Sequence, residues 1–214
     1  NNTIGMISAG NTVVFNAHPS AKSCSAQTVA LINKAIQAAG GPKNVITCVA
    51  NPTIESAGQM MKHPGVRLLV VTGGGGVVKA AMASGKRAIC AGPGNPPVVV
   101  DETADIEQAA RDIVRGASMD NNVICVEEKE TVVVASVADA LIKAMTQHDA
   151  VLIDKSRLHQ LEQVIFTKMA GPRGHAEINR DLVGKSADVI LGKMGINVPS
   201  TVRLGLIEVD ENHP

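Results

Sequence analysis

Leu68-Leu69-Val70-Val71-Thr72-Gly73-Gly74-Gly75-Gly76-Val77-Val78-Lys79 is the stretch on which the fold turns. An aliphatic run, bounded by glycine, reads as a buried strand over residues 67–72. Four glycines follow, and an Ala-rich apolar stretch predicts a helix over 76–84. A strand feeding a helix through a tight turn is the unit from which parallel sheets are built. The same alternation extends in both directions. Strands are predicted at 12–16, 45–49, 87–90, 97–101, 123–126 and 131–135. Helices are predicted at 3–9, 21–39, 54–62, 106–117, 137–147, 156–170 and 181–194. Gly40-Gly41-Pro42 is a stop signal for the second helix, Gly85 closes the fourth, and Asp105 is placed to cap the fifth. The whole predicts an α/β fold, a mostly parallel sheet with right-handed crossovers. The strongest break is Ala91-Gly92-Pro93-Gly94-Asn95-Pro96-Pro97, which fits neither mid-helix nor mid-strand. It predicts a domain crossing or a backbone bend beside a ligand, and Gly171-Pro172-Arg173-Gly174 predicts a second loop.

Composition narrows the function. Lys plus Arg and Asp plus Glu number 20 each, so there is no basic excess to hold nucleic acid or an anionic membrane. With 45% hydrophobic and 19% charged residues, a sizeable core can form. No apolar run approaches the ~18 residues of a membrane span. No Trp, no Tyr and only Phe15 and Phe166 leave that core aliphatic. Cys24, Cys48, Cys90 and Cys125 form no CxxC pair, which argues against a disulfide framework or zinc site and for a reducing, cytoplasmic setting. The chain starts Asn1-Asn2-Thr3 and ends Asn212-His213-Pro214, so an internal piece of something longer is expected.

Two segments could carry chemistry. Glycines let a backbone approach phosphate, and a helix start supplies free N–H groups. Gly73–Gly76 nonetheless matches GxGxxG poorly and is not a Walker A loop. It reads equally as a nucleotide loop and as a tight βα turn. Cys125 follows Asp120-Asn121-Asn122-Val123-Ile124; beside Val and Ile, a buried structural cysteine is the plainer interpretation, with no adjacent base. Cys24, on a helix, and Cys48, in a strand, read as structural. The histidines at 18, 63, 148, 159, 175 and 213 show no metal-ligand spacing and read as surface groups. His18 differs in following a strand end, where α/β sheets bind ligands. Glu127-Glu128-Lys129-Glu130 reads as a solvated turn, and Met60-Met61 as core filling.

Taken in order, Gly10-Asn11-Thr12-Val13-Val14-Phe15, Val71-Thr72-Gly73, Gly92-Pro93-Gly94-Asn95-Pro96-Pro97 and then Cys125 resemble the aldehyde dehydrogenase superfamily. They are similar to its adenosine-binding strand, its pyrophosphate turn, its hinge and its nucleophile loop. Residues 73–79, 91–105 and 115–129 look most like the CoA-acylating acetaldehyde and propionaldehyde dehydrogenases of bacterial microcompartments. The aldehyde half of bifunctional aldehyde-alcohol dehydrogenase is a near relative.

That resemblance implies a fold and a chemistry. Residues 1–92 would be part of a Rossmann-like NAD-binding domain and 93–214 part of a catalytic domain. Cys125 would be the nucleophile. Asn16, His18 and Pro19 would border the adenosine pocket, and Thr72, Gly73, Gly74, Val77 and Gly92 the pyrophosphate turn and hinge. Asn16 and Pro19 replace a ribose-binding Lys and Glu. Cys90 stands where hydrolytic members keep a general-base Glu, which fits transfer to a thiol rather than to water. The implied reaction oxidises a short-chain aldehyde with NAD, through a cysteine thioester, to acyl-CoA, with coenzyme A as co-substrate. A homo-oligomer and microcompartment association follow from the same resemblance; no metal is implied. Full-length relatives would be about twice as long, with an oxyanion-hole Asn upstream and a nicotinamide-ribose Glu downstream of this chain. The alternatives are an inactive piece of such an enzyme and a nucleotide-binding module without redox chemistry.

Overall fold

A computed structural model describes residues 2–92, 94–171, 174, 176–211 and 213. Pro93 in the predicted bend, Pro172 and Arg173 in the predicted loop, His175, Asn212 and Pro214 lie outside the described residues. The chain separates into two compact units, Asn1–Pro93 and Gly94–Pro214.

The first unit runs α1 (Asn2–Ser8), β1 (Val13–Phe15), α2 (Lys22–Ala38), β2 (Ile46–Cys48), α3 (Ile54–Lys62), β3 (Leu68–Thr72), α4 (Gly75–Met82) and β4 (Arg87–Ala91). β1 pairs with β2 and β3 with β4, both in parallel. Helix α2 stops where the sequence says it must. Gly40 takes φ +81°, its N–H bonds to the Gln37 carbonyl, and Gly41 N–H bonds to that of Ile36. This is a Schellman ending, which a side chain at Gly40 would strain. The interior of the unit is aliphatic: Val13, Val45 and Ile46 pack with Phe15 and α2, and Met61, Leu69 and Ala81 with Val71 and Cys90.

The second unit runs β5 (Pro97–Val100), α5 (Ile106–Ala117), β6 (Glu130–Val133), α6 (Ala135–Gln147), β7 (Ala150–Leu152), α7 (Leu158–Ile165), β8 (Phe166–Lys168), β9 (Glu177–Ile178), α8 (Ala187–Lys193) and β10 (Leu204–Leu206). β5 pairs in parallel with β6, and β7 with β10; β8 and β9 are antiparallel. In α5 the Asp105 carboxylate accepts the Gln108 N–H at 3.0 Å, capping the helix as expected. Ala110, Ile113, Val114 and Ala117 are its buried residues, at the spacing of one helical face. They meet Val100, Leu141, Ala144, Met145 and Ala150 to form the core of the unit.

Three predicted elements differ. Residues 123–126 form no strand; three consecutive left-handed residues, Asp120, Asn121 and Asn122 (φ 45°, 54° and 60°), turn the chain first. The predicted helix 156–170 ends at Ile165, because Phe166 turns extended (φ −113°, ψ 136°) and starts β8. The predicted helix 181–194 divides into a 3₁₀ turn over Arg180–Leu182 and an α-helix that starts only at Ala187, since Gly184, at φ +76°, interrupts it. The short strands β7, β9 and β10 match no predicted strand. Among the described residues no helix is long and apolar enough to cross a membrane. Nor do any three or more His, Cys, Asp or Glu residues there come together as a metal site.

Candidate active site

Cys125 is exposed at the corner of a turn, whereas the plainer reading of its Val and Ile neighbours has it buried. The loop that carries it is closed by local bonds. Asn122 Nδ2 donates to the Ala117 carbonyl at 2.6 Å and the Glu128 carbonyl at 2.9 Å, drawing the two ends of the loop together. Lys129 Nζ donates to Asn122 Oδ1 at 2.5 Å and to the Ile124 carbonyl at 3.3 Å. Asn121 Nδ2 reaches the Gly184 carbonyl at 2.9 Å, anchoring the loop to the segment before α8. Asn and Asp tolerate the left-handed region better than other side-chain-bearing residues, so the Asp120-Asn121-Asn122 run suits this turn.

Glu127 is the residue sequence reasoning missed. Its charged neighbours predict a solvated turn, yet it is 3% exposed. Its Oε2 accepts the Ile124 N–H at 2.8 Å, and its own N–H donates to the Ile124 carbonyl at 3.4 Å. A buried carboxylate holding a backbone N–H satisfies a donor that would otherwise need a strand partner. Its position inside a run of charged residues hid this role. The Cys125 N–H makes no hydrogen bond among the described residues. Gly94 lies against the same turn: a Cβ there would fall on the Cys125 carbonyl oxygen and come within 3.0 Å of the Cys125 Cβ.

The glycine segment lies in the other unit. Thr72 ends β3, Gly74 caps α4 without a side chain, and the Gly73 N–H donates to the Ala91 carbonyl at 3.3 Å. That bond ties the turn to the end of β4, where Gly92 follows. None of Gly73–Gly76 has a positive φ, and a Cβ on any of them would meet nothing within 4 Å. Neither backbone strain nor packing inside the chain therefore accounts for four glycines. What they leave is an open entrance to the first N–H groups of α4, which have no acceptor inside the helix. Val77, in the first turn of α4, is exposed beside that entrance. These residues fit a phosphate-bearing cofactor.

Asn16, His18 and Pro19 follow the carboxyl end of β1. Asn16 Oδ1 accepts from Ser56 Oγ at 2.6 Å, and Ser56 forms a capping box with Thr53 at the start of α3. His18 Nδ1 lies 2.6 Å from Ser20 Oγ and accepts the Ser20 N–H, starting a short 3₁₀ turn over Pro19–Ala21. His18 and Pro19 are exposed. The structure thus places these three residues on one segment and Thr72, Gly73, Gly74, Val77 and Gly92 around one βα turn, with Cys125 in the second unit. Cys24 is exposed on α2, while Cys48 is partly buried in β2. Cys90 packs partly buried against the Met61–Leu69–Ala81 core.

A model of the aldehyde dehydrogenase family matches residues 2–163. The acetylating acetaldehyde dehydrogenase EutE of Salmonella typhimurium is 50% identical over 215 residues, covering 100% of this chain and 46% of that protein. The CoA-propanoylating propanal dehydrogenase of the same organism is 42% identical, covering 99% of this chain and 45% of its own length. Among solved structures, a propionaldehyde dehydrogenase from the fucose utilisation microcompartment of Clostridium phytofermentans superimposes with a TM-score of 0.88. It is 46% identical and covers 100% of this chain and 48% of that one. The propionaldehyde dehydrogenase of Rhodopseudomonas palustris, solved with bound CoA and an acylated cysteine, gives a TM-score of 0.87. It is 47% identical, with 99% of this chain and 47% of that one covered. The chain spans about half the length of the relatives it matches. The family match begins ahead of the glycine turn and runs past Cys125, so both candidate segments fall within it, and the chain belongs to the aldehyde dehydrogenase family.

Proposed function

We propose that this chain carries the nucleophile and part of the cofactor surface of a CoA-acylating aldehyde dehydrogenase. It oxidises a short-chain aldehyde, acetaldehyde or propionaldehyde, to its acyl-CoA. The observation that carries this is Cys125: an exposed thiol on a turn fixed by side chains on both sides, with its own N–H unbonded among the described residues. Likeness to relatives named as acetylating and CoA-propanoylating dehydrogenases supports the substrate class.

The Cys125 thiolate attacks the aldehyde carbon, forming the S–C bond while the carbonyl π pair moves to oxygen. The Cys125 N–H is the chain's own donor for that oxyanion; losing such a donor typically costs about 3 kcal/mol. A nicotinamide cofactor, when bound, would supply the two-electron oxidant for this step, and Cys125 would then hold the acyl group as a thioester. Thr72, Gly73, Gly74, Val77 and Gly92 would hold the phosphate-bearing part of that cofactor, and Asn16, His18 and Pro19 would border its adenosine end. The acyl group then passes to the thiolate of coenzyme A, and the Cys125 thiolate is released. Cys90, at the position where hydrolytic members of the resembled superfamily keep a general-base Glu, carries no carboxylate, which accords with a thiol rather than water as acyl acceptor. Residues 1–92 act as part of the NAD-binding domain and 93–214 as part of the catalytic domain. The enzyme works in the cytoplasm as a homo-oligomer, inside a microcompartment as the named source of one structural relative suggests.

A second class of protein, a nucleotide-binding module without redox chemistry, would keep the glycine entrance and leave Cys125 inert. Incubation with propionyl-CoA followed by peptide mass spectrometry separates the two. The proposal expects a propionyl group on the Cys125 peptide, removed by free CoA; no adduct at Cys125 contradicts it.

A further inference from the structure

We infer that Glu127 is a positioning residue for the nucleophile: its buried carboxylate holds the turn on which Cys125 stands and keeps the Cys125 N–H free to act as an oxyanion donor. The inference rests on the proposal that Cys125 is the nucleophile, and it assigns a task to a residue outside the reacting atoms.

The geometry is reciprocal. Glu127 Oε2 accepts the Ile124 N–H at 2.8 Å, and Glu127 N–H donates to the Ile124 carbonyl at 3.4 Å. One side chain and one backbone bond from a single residue thus fix both polar groups of Ile124. Cys125 and Val126 are left as the two central residues of the turn, both exposed. Within this turn the Ile124 N–H has a partner and the Cys125 N–H has none. A carboxylate is a strong acceptor for backbone N–H, and a bond of this kind is worth more when buried. Glu127 is buried to 3% exposure, and its second oxygen, Oε1, has no hydrogen-bond partner among the described residues. Burying a carboxylate with only one oxygen bonded is unfavourable unless the single bond it makes is needed. Remove the carboxylate and the Ile124 N–H must find water. The turn then loses the bond that sets the direction of the next N–H along the chain. Misplacing a catalytic group by about 1 Å costs on the order of 10²-fold in rate.

Two reagents separate positioning from mere folding. Iodoacetamide alkylates a thiolate by displacement and builds no oxyanion. p-Nitrophenyl acetate acylates it through a tetrahedral oxyanion: the S–C bond forms, the carbonyl pair moves to oxygen, and collapse expels p-nitrophenolate with the bonding pair. Both rates are measured at Cys125 in the wild-type chain, Glu127→Ala and Glu127→Gln, together with hydrogen exchange at the Ile124 amide. In Glu127→Ala, acylation should fall about 100-fold while alkylation changes less than about 3-fold, and the Ile124 amide should exchange faster. Glu127→Gln, whose amide oxygen still accepts the Ile124 N–H, should recover most of the acylation rate and the slow exchange. Acylation and alkylation falling together, or Ile124 exchange unchanged in Glu127→Ala, would overturn the inference. A wild-type chain that is alkylated but not acylated at Cys125 counts against the nucleophile proposal instead, and Ile124 exchange then decides the role of Glu127.

Discussion

Gly94 lies so close to Cys125 that a single added carbon would strike its carbonyl oxygen and approach its Cβ to 3.0 Å. The nearest obstacle is backbone, which cannot swing away as a side-chain tip can. Gly94→Ala should therefore push the Cys125 turn out of place. We expect acylation of Cys125 by propionyl-CoA to fall by at least about 10²-fold, the scale of a 1 Å misplacement. The mass-spectrometric acylation assay reads this directly. An alanine variant with wild-type acylation would mean that the turn does not depend on this approach.

The glycines of the α4 entrance lead to the opposite expectation for stability. A Cβ at Gly74 meets nothing within 4 Å, and its φ of −64° suits any residue. Gly74→Val should leave the melting temperature nearly unchanged, because nothing inside the chain is displaced. It should still weaken binding of ADP or NAD, because the branched side chain blocks the way to the helix N–H groups. Calorimetric titration with ADP alongside a thermal melt checks both halves. Unaltered ADP binding would show that phosphate does not sit at this turn.

Asn33 tests the packing of the first unit. Its side-chain amide donates to the Ile46 carbonyl at 2.6 Å and accepts the Ile46 N–H at 3.3 Å, acting as a neighbouring strand for β2. Ile46 is 1% exposed, so both backbone groups would lose partners where water is excluded. Asn33→Ala should cost about 1–3 kcal/mol of stability. Chemical denaturation measures it.

Two exposed aspartates give stability a small pH dependence of known sign. The Asp101 carboxylate accepts from Thr103 Oγ1 at 2.6 Å and from the Thr103 N–H at 2.9 Å, which hold its pKa below the ordinary aspartate value. Asp154 is lowered in the same way by the hydroxyl and then the N–H of Ser156. A carboxylate depressed in the folded chain stabilises it above the unfolded pKa, and the benefit is lost as pH falls through the folded value. Both sites are fully exposed, so the effect is small. Thr103→Val and Ser156→Ala together should be less stable than wild type at about pH 6, and the gap should narrow by about pH 3. A gap that stays constant across that range would contradict the assignment.

The residues that gave themselves away are those whose patterns are local. The aliphatic run ahead of Gly73 produced β3, the capping carboxylate and the spacing of Ala110, Ile113, Val114 and Ala117 produced α5, and Gly40 ended α2. The misread segments are those where two local patterns compete. Val123 to Val126 has the composition of a strand, but three left-handed residues ahead of it and the Glu127 carboxylate behind it fold it into a turn. The segment 156–170 carries a helical pattern that gives way to extended backbone once Phe166 and Thr167 are reached. The strands β7 and β10 are three residues each and exist by pairing with each other across a long separation, which no window of sequence reveals. The candidate site divides the same way. The glycine entrance could be read from composition, whereas the exposure of Cys125 and the burial of Glu127 come from side-chain-to-backbone bonds hidden inside a charged run.

The most direct test of the account is iodoacetamide labelling at neutral pH with peptide mapping, with and without NAD. Cys24 and Cys125 are both exposed, so accessibility alone would label them alike. An activated nucleophile predicts selective, rapid alkylation at Cys125, altered by NAD, with Cys24 slower. Equal labelling of Cys24 and Cys125, or no labelling of Cys125, would contradict it.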